Sequence, residues 1–368
     1  MVRASGLWCA VLCAACGDDG ANKLPDAPVA DDARGDDGNG TIDAPNDSAI
    51  DAVPRSYNCG SFTEAPTWTI TTGFHAVVIA DAADGLAEPV AAIVAGGGFD
   101  GKIYVVNQTD DTLRSVEPTD GSTTVVVTAA AWPKPAALLT TIAWDAQSLF
   151  DGNLYVGDQG GDGDGDSTIF RVAPNGTPTQ FTTAPGPGLD DIYGMAFSTN
   201  AAYGNKLFVT GDTDGAGVDW GAFDSAGVGT GFSELAGGEG IAFDTSVGAV
   251  YGGGLLASRP AGGGYAGDDT ITKIDAAGAA AGTVITTRPG IHAVTVAPPG
   301  PFGGKVVFAS WSTGELVSVD SAGTASVLAS GLSLTNYDGN ILAFSPDGNV
   351  LYVADRLANR LVCIEPEI

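Results

Sequence analysis

The sequence predicts an all-β fold, a six-bladed β-propeller of four-stranded blades that is closed by the N-terminal strand joining the last blade. Glycine accounts for 54 of the 368 residues, and strong helix formers are scarce among the hydrophilic residues. A short apolar strand that follows a glycine-containing turn recurs six times. Its aromatic positions, 104, 155, 208, 251, 308 and 352, have a mean spacing of just under 50 residues, which suits one blade per repeat.

The charge balance argues against one class of partner. The chain has 44 acidic and 15 basic side chains, and its net charge is −29. Nucleic-acid binding depends on lysine and arginine neutralising phosphates, so we expect no nucleic-acid partner.

Residues 1–15 have the pattern of an export signal. Arg3 precedes an apolar run at residues 7–15, which is too short to span a bilayer and suits a secretory signal. The run ends at Cys16, and the chain then becomes acidic. This pattern resembles the bacterial lipoprotein signal, although Cys13 stands where that signal usually has leucine. The resemblance implies that Cys16 is lipidated and becomes the mature N-terminus; the alternative is an ordinary cleaved peptide with an incidental cysteine.

The lipoprotein resemblance also implies a location. Gly17, rather than aspartate, follows the cysteine, which in Gram-negative bacteria is typical of sorting to the outer membrane. Residues 16–55 would then form the lipidated cysteine and a disordered acidic tether, because residues 17–55 contain ten aspartates and no aromatic residue. Residues 56–368 would form the propeller. We therefore expect a monomer held at the cell envelope through its lipid anchor.

Each predicted blade begins with an inner strand beside the axis. These strands are predicted at residues 91–95, 141–146, 194–198, 240–244, 293–297 and 341–345. The sixth repeat ends before its fourth strand, and residues 67–72, around Trp68, are predicted to supply it. Such a closure leaves no open edge in the ring.

The same closure predicts a disulfide. Cys59 lies just before the closing strand and Cys363 lies in the last blade, so the two thiols come close if the strands pair as predicted. An oxidising envelope compartment would then allow the bond to form. The alternative is two unrelated thiols.

Residues 341–361, ILAFSPDGNVLYVADRLANRL, resemble blades of the NHL, YVTN and gluconolactonase-like propellers, and residues 239–244 resemble an inner strand of the same group. The gluconolactonase-like resemblance implies a divalent metal held by a glutamate, an asparagine and an aspartate. Glu239 and Asn340 match the first two motifs, whereas Asp191 is a poor match to the third. The matching strands also lie in the fourth and sixth repeats, unlike the order in that family.

A calcium site is predicted from oxygen ligands around the channel. The residues predicted to contribute are Asp158, Asp212 and Asp355 at second-strand ends, Glu239 and Asn340 at inner-strand entrances, and Asp162, Asp164 and Asp166 in a loop of alternating aspartate and glycine. The alternatives are aspartates that accept backbone hydrogen bonds in their turns and a solvated flexible loop.

Signals for catalysis are weaker than those for binding. The two histidines, His75 and His292, lack zinc-ligand spacing, and a hydrogen-bonded structural role is predicted for His292. Long loops in the second, third and fourth repeats favour a binding face. The expected function is an envelope lipoprotein whose propeller binds a cation, a glycan or a protein. The alternative is a metal-dependent lactonase of the gluconolactonase type.

Overall fold

Six antiparallel sheets make up the protein in a computed structural model. The structure describes residues 57–136, 138–160, 167–183, 191–212, 220–233, 235, 237–246, 248–260, 268–335 and 339–367. Two strands, β1 (Thr69–Ile70) and β2 (Phe74–Ala80), precede the first blade. No α-helix occurs in these ranges, and none of their helical turns could cross a membrane. The helical turns are short 3₁₀ segments at Ala82–Asp84, Gly97–Phe99, Ala129–Ala131, Ala201–Tyr203 and Arg356–Ala358.

Blades one to three each take four consecutive strands. Blade one contains β3 (Pro89–Ala95), β4 (Lys102–Asn107), β5 (Thr112–Val116) and β6 (Thr123–Val127). Blade two contains β7 (Leu139–Trp144), β8 (Leu154–Asp158), β9 (Thr168–Val172) and β10 (Pro178–Thr183). Blade three contains β11 (Asp191–Phe197), β12 (Leu207–Asp212), β13 (Trp220–Phe223) and β14 (Gly229–Gly231).

Blades four to six complete the circle. Blade four contains β15 (Ile241–Phe243), β16 (Leu255–Pro260), β17 (Asp268–Ile274) and β18 (Ala280–Pro289). Blade five contains β19 (Ile291–Val296), β20 (Val306–Ser310), β21 (Glu315–Val319) and β22 (Ala325–Ser330). Blade six contains β23 (Leu342–Phe344), β24 (Leu351–Asp355) and β25 (Arg360–Pro366), and its fourth strand is β2. The prediction of six four-stranded blades is confirmed.

The N-terminal segment contacts two blades. Strand β2 pairs antiparallel with β25, with Val77 opposite Cys363. The predicted closing segment, residues 67–72, is wrong in its position, because β1 pairs with β22 of blade five, with Thr69 opposite Ser330. The burial of the two segments explains the difference. Residues 76–80 are apolar and buried on both faces, as a strand inside a sheet requires, whereas Thr69 is exposed.

The predicted disulfide joins the N-terminal segment to the last strand. Cys59 and Cys363 are bonded, with their Cα atoms 5.7 Å apart and both side chains fully buried. The backbone N–H of Cys59 also donates to Glu365 Oε2 at 2.9 Å. The link spans 304 residues of sequence, so it ties the two ends of the propeller together.

The hydrophobic core lies between neighbouring blades. Between blades one and two, for example, Val106 and Leu113 belong to the same buried cluster as Ile142 and Val156. Each blade thus buries apolar side chains against its neighbours.

Candidate functional site

The inner strands share one irregularity where they enter the sheet. Strands β3, β7, β11 and β19 each have a register shift against the second strand of their blade, at Val90, at Thr140, at Tyr193 and next to His292. A β-bulge at such a position redirects the side chain away from the regular pleat. Sequence spacing gives the equivalent residue in each of the other two blades. We call the six residues the axial ring: Val90, Thr140, Tyr193, Glu239, His292 and Asn340.

The axial ring connects opposite sides of the propeller. Asn340, from blade six, donates its Nδ2 protons to the carbonyl oxygens of Met195 at 3.0 Å and Ile142 at 3.4 Å, in blades three and two. The hydroxyl of Thr140 donates to the carbonyl of Ile192 in the next blade. The Asn340 bonds cross the axis, so a polar group of the ring itself bridges the channel.

Glu239 and His292 form a buried pair within the ring. Glu239 Oε1 lies 3.3 Å from His292 Nε2, and the two side chains are only 6% and 2% exposed. Glu239 Oε2 is also buried, and it has no hydrogen-bond partner among the described residues. The Tyr193 ring stands edge-on to the imidazole, with centroids 6.3 Å apart. Its hydroxyl donates to Asp191 Oδ2 at 3.0 Å.

A second buried carboxylate belongs to the same cluster. Asp269, in β17, accepts a hydrogen bond from the Ile291 backbone N–H at 2.6 Å, next to His292 in sequence. Burial raises the pKa of Asp269 to about 6, and the negative charge of Glu239 adds to this effect. The Ile291 bond and the charge of His292 act in the opposite direction. Two carboxylates and one imidazole thus share a region shielded from water.

Glycine allows the backbones that carry this cluster to approach closely. A Cβ atom on Gly240, the residue after Glu239, would lie 1.9 Å from the carbonyl oxygen of His292. A Cβ atom on Gly194, the residue after Tyr193, would lie 2.3 Å from the carbonyl oxygen of Glu239. The backbones of blades three, four and five therefore touch at this level, which brings the side chains of Tyr193, Glu239 and His292 together.

The predicted ligands at the second-strand ends hold loops. Asp355 is fully buried; its Oδ1 accepts the Ser333 N–H at 2.7 Å, and its Oδ2 accepts Trp68 Nε1 at 2.9 Å and Arg360 Nε at 2.8 Å. Asp158 Oδ1 accepts the Leu138 N–H at 2.9 Å, and Lys134 Nζ lies 3.7 Å from its Oδ2. These bonds agree with the alternative in which the aspartates accept backbone hydrogen bonds.

The same contact recurs without a carboxylate. In blade one, Asn107 Nδ2 donates to the carbonyl of Gly85 at 3.0 Å, and in blade five Ser310 Oγ donates to the carbonyl of Pro289 at 2.6 Å. We call this contact the strand-end latch, formed by Asn107, Asp158, Ser310 and Asp355. In each of these four blades, the backbone group that bonds to the latch side chain lies in the segment that leads into the inner strand. The latch therefore needs a polar side chain and no metal ion.

The predicted calcium ligands that the structure describes do not gather into one group. No three His, Cys, Asp or Glu side chains within the described ranges lie close enough together to share a metal ion. The carboxylates of Asp158 and Asp355 are held by N–H donors, and Asn340 uses its amide nitrogen across the axis. Residues Cys16, Asp162, Asp164 and Asp166, and the side chain of Asp212, lie outside the described residues. The calcium loop at residues 162–166 therefore stays a prediction.

Comparison with known proteins identifies the fold. No protein-family model matches the sequence, and a search of curated proteins finds no match. A gluconolactonase from Xanthomonas campestris is similar in structure, with a TM-score of 0.58 at 14% identity over 85% of this chain and 99% of that chain.

Two further solved structures are also similar in structure to this chain. The PQQ-bound aldose sugar dehydrogenase from Streptomyces coelicolor has a TM-score of 0.54 at 16% identity, over 81% of this chain and 100% of that chain. A Trichoderma reesei member of carbohydrate-active enzyme family AA12, in its calcium structure, has a TM-score of 0.54 at 11% identity, over 82% and 98% of the two chains. These identities show a shared propeller fold and no more.

Sequence analysis missed part of the buried cluster. The sequence analysis assigns no role to Asp269 or Tyr193. His292 was expected to have a structural partner, and the structure places it beside Glu239. Their equivalent positions in the repeats could have shown that they lie together, since Tyr193, Glu239 and His292 each immediately precede a predicted inner strand.

Proposed function

We propose that this protein is a hydrolase that opens a sugar-derived lactone, with Glu239 as the general base. One observation carries the proposal: Glu239 Oε1 lies 3.3 Å from His292 Nε2, while the buried Oε2 has no hydrogen-bond partner among the described residues. Leaving a buried polar atom without a partner costs roughly 1–3 kcal/mol. Such a cost is typical of functional sites, where one oxygen must stay free to accept a proton.

In the proposed step, Glu239 Oε2 accepts a proton from a water molecule as the water oxygen bonds to the lactone carbonyl carbon. The ring C–O bond then breaks. The proton held on Glu239 passes to the leaving alkoxide, which becomes the hydroxyl of the open hydroxy acid. Water supplies every atom added, so the reaction consumes no oxidant and no reductant.

His292 is assigned a positioning role. Its Nε2 lies 3.3 Å from one oxygen of Glu239, and this contact orients the carboxylate. Asp269 lies in the same cluster, and its raised pKa limits the negative charge next to Glu239 at mildly acidic pH.

The proposed substrate class, sugar-derived lactones, is suggested by the solved structures that share this fold. The similar structures include a gluconolactonase, an aldose sugar dehydrogenase and a carbohydrate-active enzyme. A shared fold does not carry an activity by itself. The class is supported by the buried carboxylate and imidazole, which match the proton transfer that lactone opening requires.

The test is the hydrolysis of a panel of γ- and δ-aldonolactones, followed by acid release at constant pH, with EDTA or added CaCl₂ as separate arms. We expect wild-type turnover above the spontaneous rate. In the Glu239→Gln variant, kcat/KM should fall by about 10²–10⁴-fold, the range typical of a lost general base. Glu64→Gln is the matched control, because Glu64 is an exposed carboxylate. Equal turnover in Glu239→Gln and Glu64→Gln would contradict the proposal.

A second candidate is the binding module that the sequence predicts, for a cation, a glycan or a protein. The depth of the pair favours it, since the Glu239 and His292 side chains are only 6% and 2% exposed. Binding of an aldonolactone or its open acid without turnover of any panel member would favour this candidate over the hydrolase.

We further propose that the chain is attached to the outer membrane through Cys16. The support is the signal-like run at residues 7–15 and the buried Cys59–Cys363 disulfide, because stable disulfides are typical of oxidising compartments outside the cytoplasm. Expression in a Gram-negative host with labelled palmitate should label the wild type and not Cys16→Ser. Equal labelling of both would contradict the anchor.

A further inference from the structure

Three consecutive residues at the start of blade five contact three different side chains. His292 contacts the proposed general base, and the Ile291 backbone N–H donates to Asp269 Oδ2 at 2.6 Å. The residue before them, Gly290, contacts Trp311, since a Cβ atom on Gly290 would lie 2.8 Å from Trp311 Nε1. Two residues of chain span at most about 7 Å, so the edge of this indole lies near the residues to which we assign the proposed chemistry.

Trp311 lies at the same end of the propeller as the axial ring. It begins the turn of residues 311–314, which joins β20 to β21. Its backbone N–H donates to the Gly290 carbonyl at 2.9 Å. At the end of the turn, the Gly314 carbonyl accepts the N–H of Gly331 at 2.9 Å. Both ends of the turn are therefore fixed by backbone hydrogen bonds without a ligand.

Glycine at position 290 makes the contact with Trp311 possible. Gly290 has a φ of +64°, and a Cβ atom there would also lie 2.7 Å from Ser312 Oγ. A larger residue would push the turn away from the backbone that carries His292. The fold therefore places an aromatic ring against the entrance of the inner strand β19.

Trp311 also offers surface to a ligand. It is partly exposed, whereas Trp68, Trp132 and Trp220 are buried. The other partly exposed tryptophan among the described residues, Trp144, ends the inner strand β7 and so lies at the opposite end of the propeller. The face of an indole carries partial negative charge, and it attracts the polarised C–H groups of a sugar ring. Trp311 therefore has the chemistry of a platform for such a ring.

We propose that Trp311 determines substrate specificity by packing against the C–H face of the substrate's sugar ring. The sugar-derived class of substrate rests on the proposed function. Ser312 and Thr313, next to Trp311 in the same turn, are exposed, and their hydroxyls can donate to or accept from the hydroxyls of such a ring. Small-molecule sites commonly combine an aromatic wall with a few polar groups in this way.

The test measures binding of the six-membered-ring anhydroalditols of D-glucose, D-mannose and D-galactose to the full chain by saturation-transfer NMR titration. These probes keep the sugar ring and lack the lactone carbonyl, so binding is measured without hydrolysis. We expect at least one probe to bind with a Kd below about 20 mM. In Trp311→Leu, which keeps an apolar side chain over Gly290 and removes the aromatic face, the Kd should rise about tenfold. Trp311→Phe should keep the Kd within about threefold of the wild-type value, because it retains an aromatic face.

Trp144→Leu is the matched control. It makes the same change at a partly exposed tryptophan at the other end of the propeller, and it should leave the Kd unchanged. Urea unfolding shows whether Trp311→Leu is folded. The proposal is overturned if none of the three probes binds in that concentration range. It is also overturned if folded Trp311→Leu binds the probes as Trp144→Leu does.

Kinetics on the lactone panel separate this inference from the proposed function. Trp311→Leu should raise KM about tenfold and change kcat by less than about threefold, because a ring contact made equally in the ground state and the transition state affects binding alone. If no lactone is turned over and Trp311→Leu still weakens probe binding, the hydrolase fails and the role of Trp311 stands. If lactones are turned over and Trp311→Leu changes neither KM nor Kd, the hydrolase stands and the role of Trp311 is overturned.

Discussion

At the scale of single residues, polar side chains near the axis have two distinct roles. Both carboxylate oxygens of Asp355 accept N–H donors. Asp158 Oδ1 accepts the Leu138 N–H, and its Oδ2 lies 3.7 Å from Lys134 Nζ. Glu239 has one oxygen near His292 and the other without a partner among the described residues. The first arrangement stabilises the fold, and the second is the one to which we assign the proposed chemistry.

The latch of blade six can be tested by removing its carboxylate. Asp355→Ala leaves the Ser333 N–H, the Trp68 indole and the Arg360 guanidinium without their acceptor. We expect the free energy of unfolding in urea to fall by about 3–5 kcal/mol, as for other broken buried ion pairs. Asp224→Ala makes the same change at an exposed aspartate that bonds only within its own turn, and it should cost less than about 1 kcal/mol. Equal losses would contradict the latch.

Asp269 predicts a pH dependence of stability. Its pKa is raised from 3.8 to about 6 in the folded protein, so its contribution to stability is full below about pH 4 and is lost as the pH rises through 6. Between pH 4.5 and 7, this loss amounts to about 2 kcal/mol. Asp269→Asn should therefore lose less stability than the wild type over that interval, measured by urea unfolding at both pH values. An unchanged pH dependence would rule out the buried ionisation.

The sequence distinguishes these roles poorly. Asp158 and Glu239 both lie where a repeat meets the axis, and a buried oxygen suits a metal ligand, a latch or a base equally well. The two carboxylates differ in which donor groups contact each of their oxygens. Those donors come from residues about 20 positions away for Asp158 and a whole blade away for Glu239. Spacing within one repeat cannot show such contacts.

At the scale of elements, the inner strands determine the site. The register shifts in β3, β7, β11 and β19 recur at one level of the propeller, and they direct axial-ring side chains towards the centre. Glycines next to the ring allow neighbouring blades to touch. The position of the proposed catalytic pair therefore depends on backbone packing between blades.

Gly240 is the most sensitive position in this packing. Gly240→Ala would place a Cβ atom 1.9 Å from the His292 carbonyl oxygen, so blades four and five would have to separate. We expect a loss of about 1–3 kcal/mol in the free energy of unfolding, together with reduced lactone turnover. Gly60→Ala, where the nearest atom would be 3.6 Å away, is the control and should change neither quantity. A Gly240→Ala variant as stable as Gly60→Ala would contradict the close approach.

The element predictions succeeded where the repeat was regular. The recurring apolar strand located the second strand in five blades, because its two buried faces require a continuous apolar run. In blade four the prediction around Tyr251 is wrong, since Tyr251 lies in a turn and the second strand is β16. The closing strand was misplaced because residues 67–72 are rich in threonine and resemble a fourth strand. The more apolar β2, residues 74–80, pairs with β25 instead.

At the scale of the whole molecule, the ends of the propeller are joined by two kinds of contact. Strand β2 pairs with β25, and Cys59 is bonded to Cys363. Each blade contacts only its neighbours and the axis, so opening the ring at blade six would expose the faces of two blades. The covalent link opposes that opening.

Loss of the disulfide should weaken the whole propeller. A cross-link over 304 residues reduces the entropy of the unfolded chain, and we expect Cys59→Ser to lose about 3–5 kcal/mol under oxidising conditions. With excess reductant, the wild type and Cys59→Ser should unfold at similar urea concentrations. If the two proteins are equally stable without reductant, the link does not hold the ring.

The overall architecture was more predictable than the chemistry. Six repeats with a common apolar strand required six blades, and the positions of Cys59 and Cys363 required proximity once the ring closed. The cluster of Glu239, His292 and Asp269 draws on two blades, so it becomes visible only when the ring is assembled.

The most direct test of the proposed site is a double-mutant cycle on kcat/KM for aldonolactone hydrolysis, with Glu239→Gln, His292→Asn and the double variant. If His292 acts through Glu239, the double variant should lose about as much activity as Glu239→Gln alone, because residues that act as a unit are strongly non-additive. Multiplication of the two single losses, or wild-type turnover in Glu239→Gln, would contradict a catalytic pair at the axial ring.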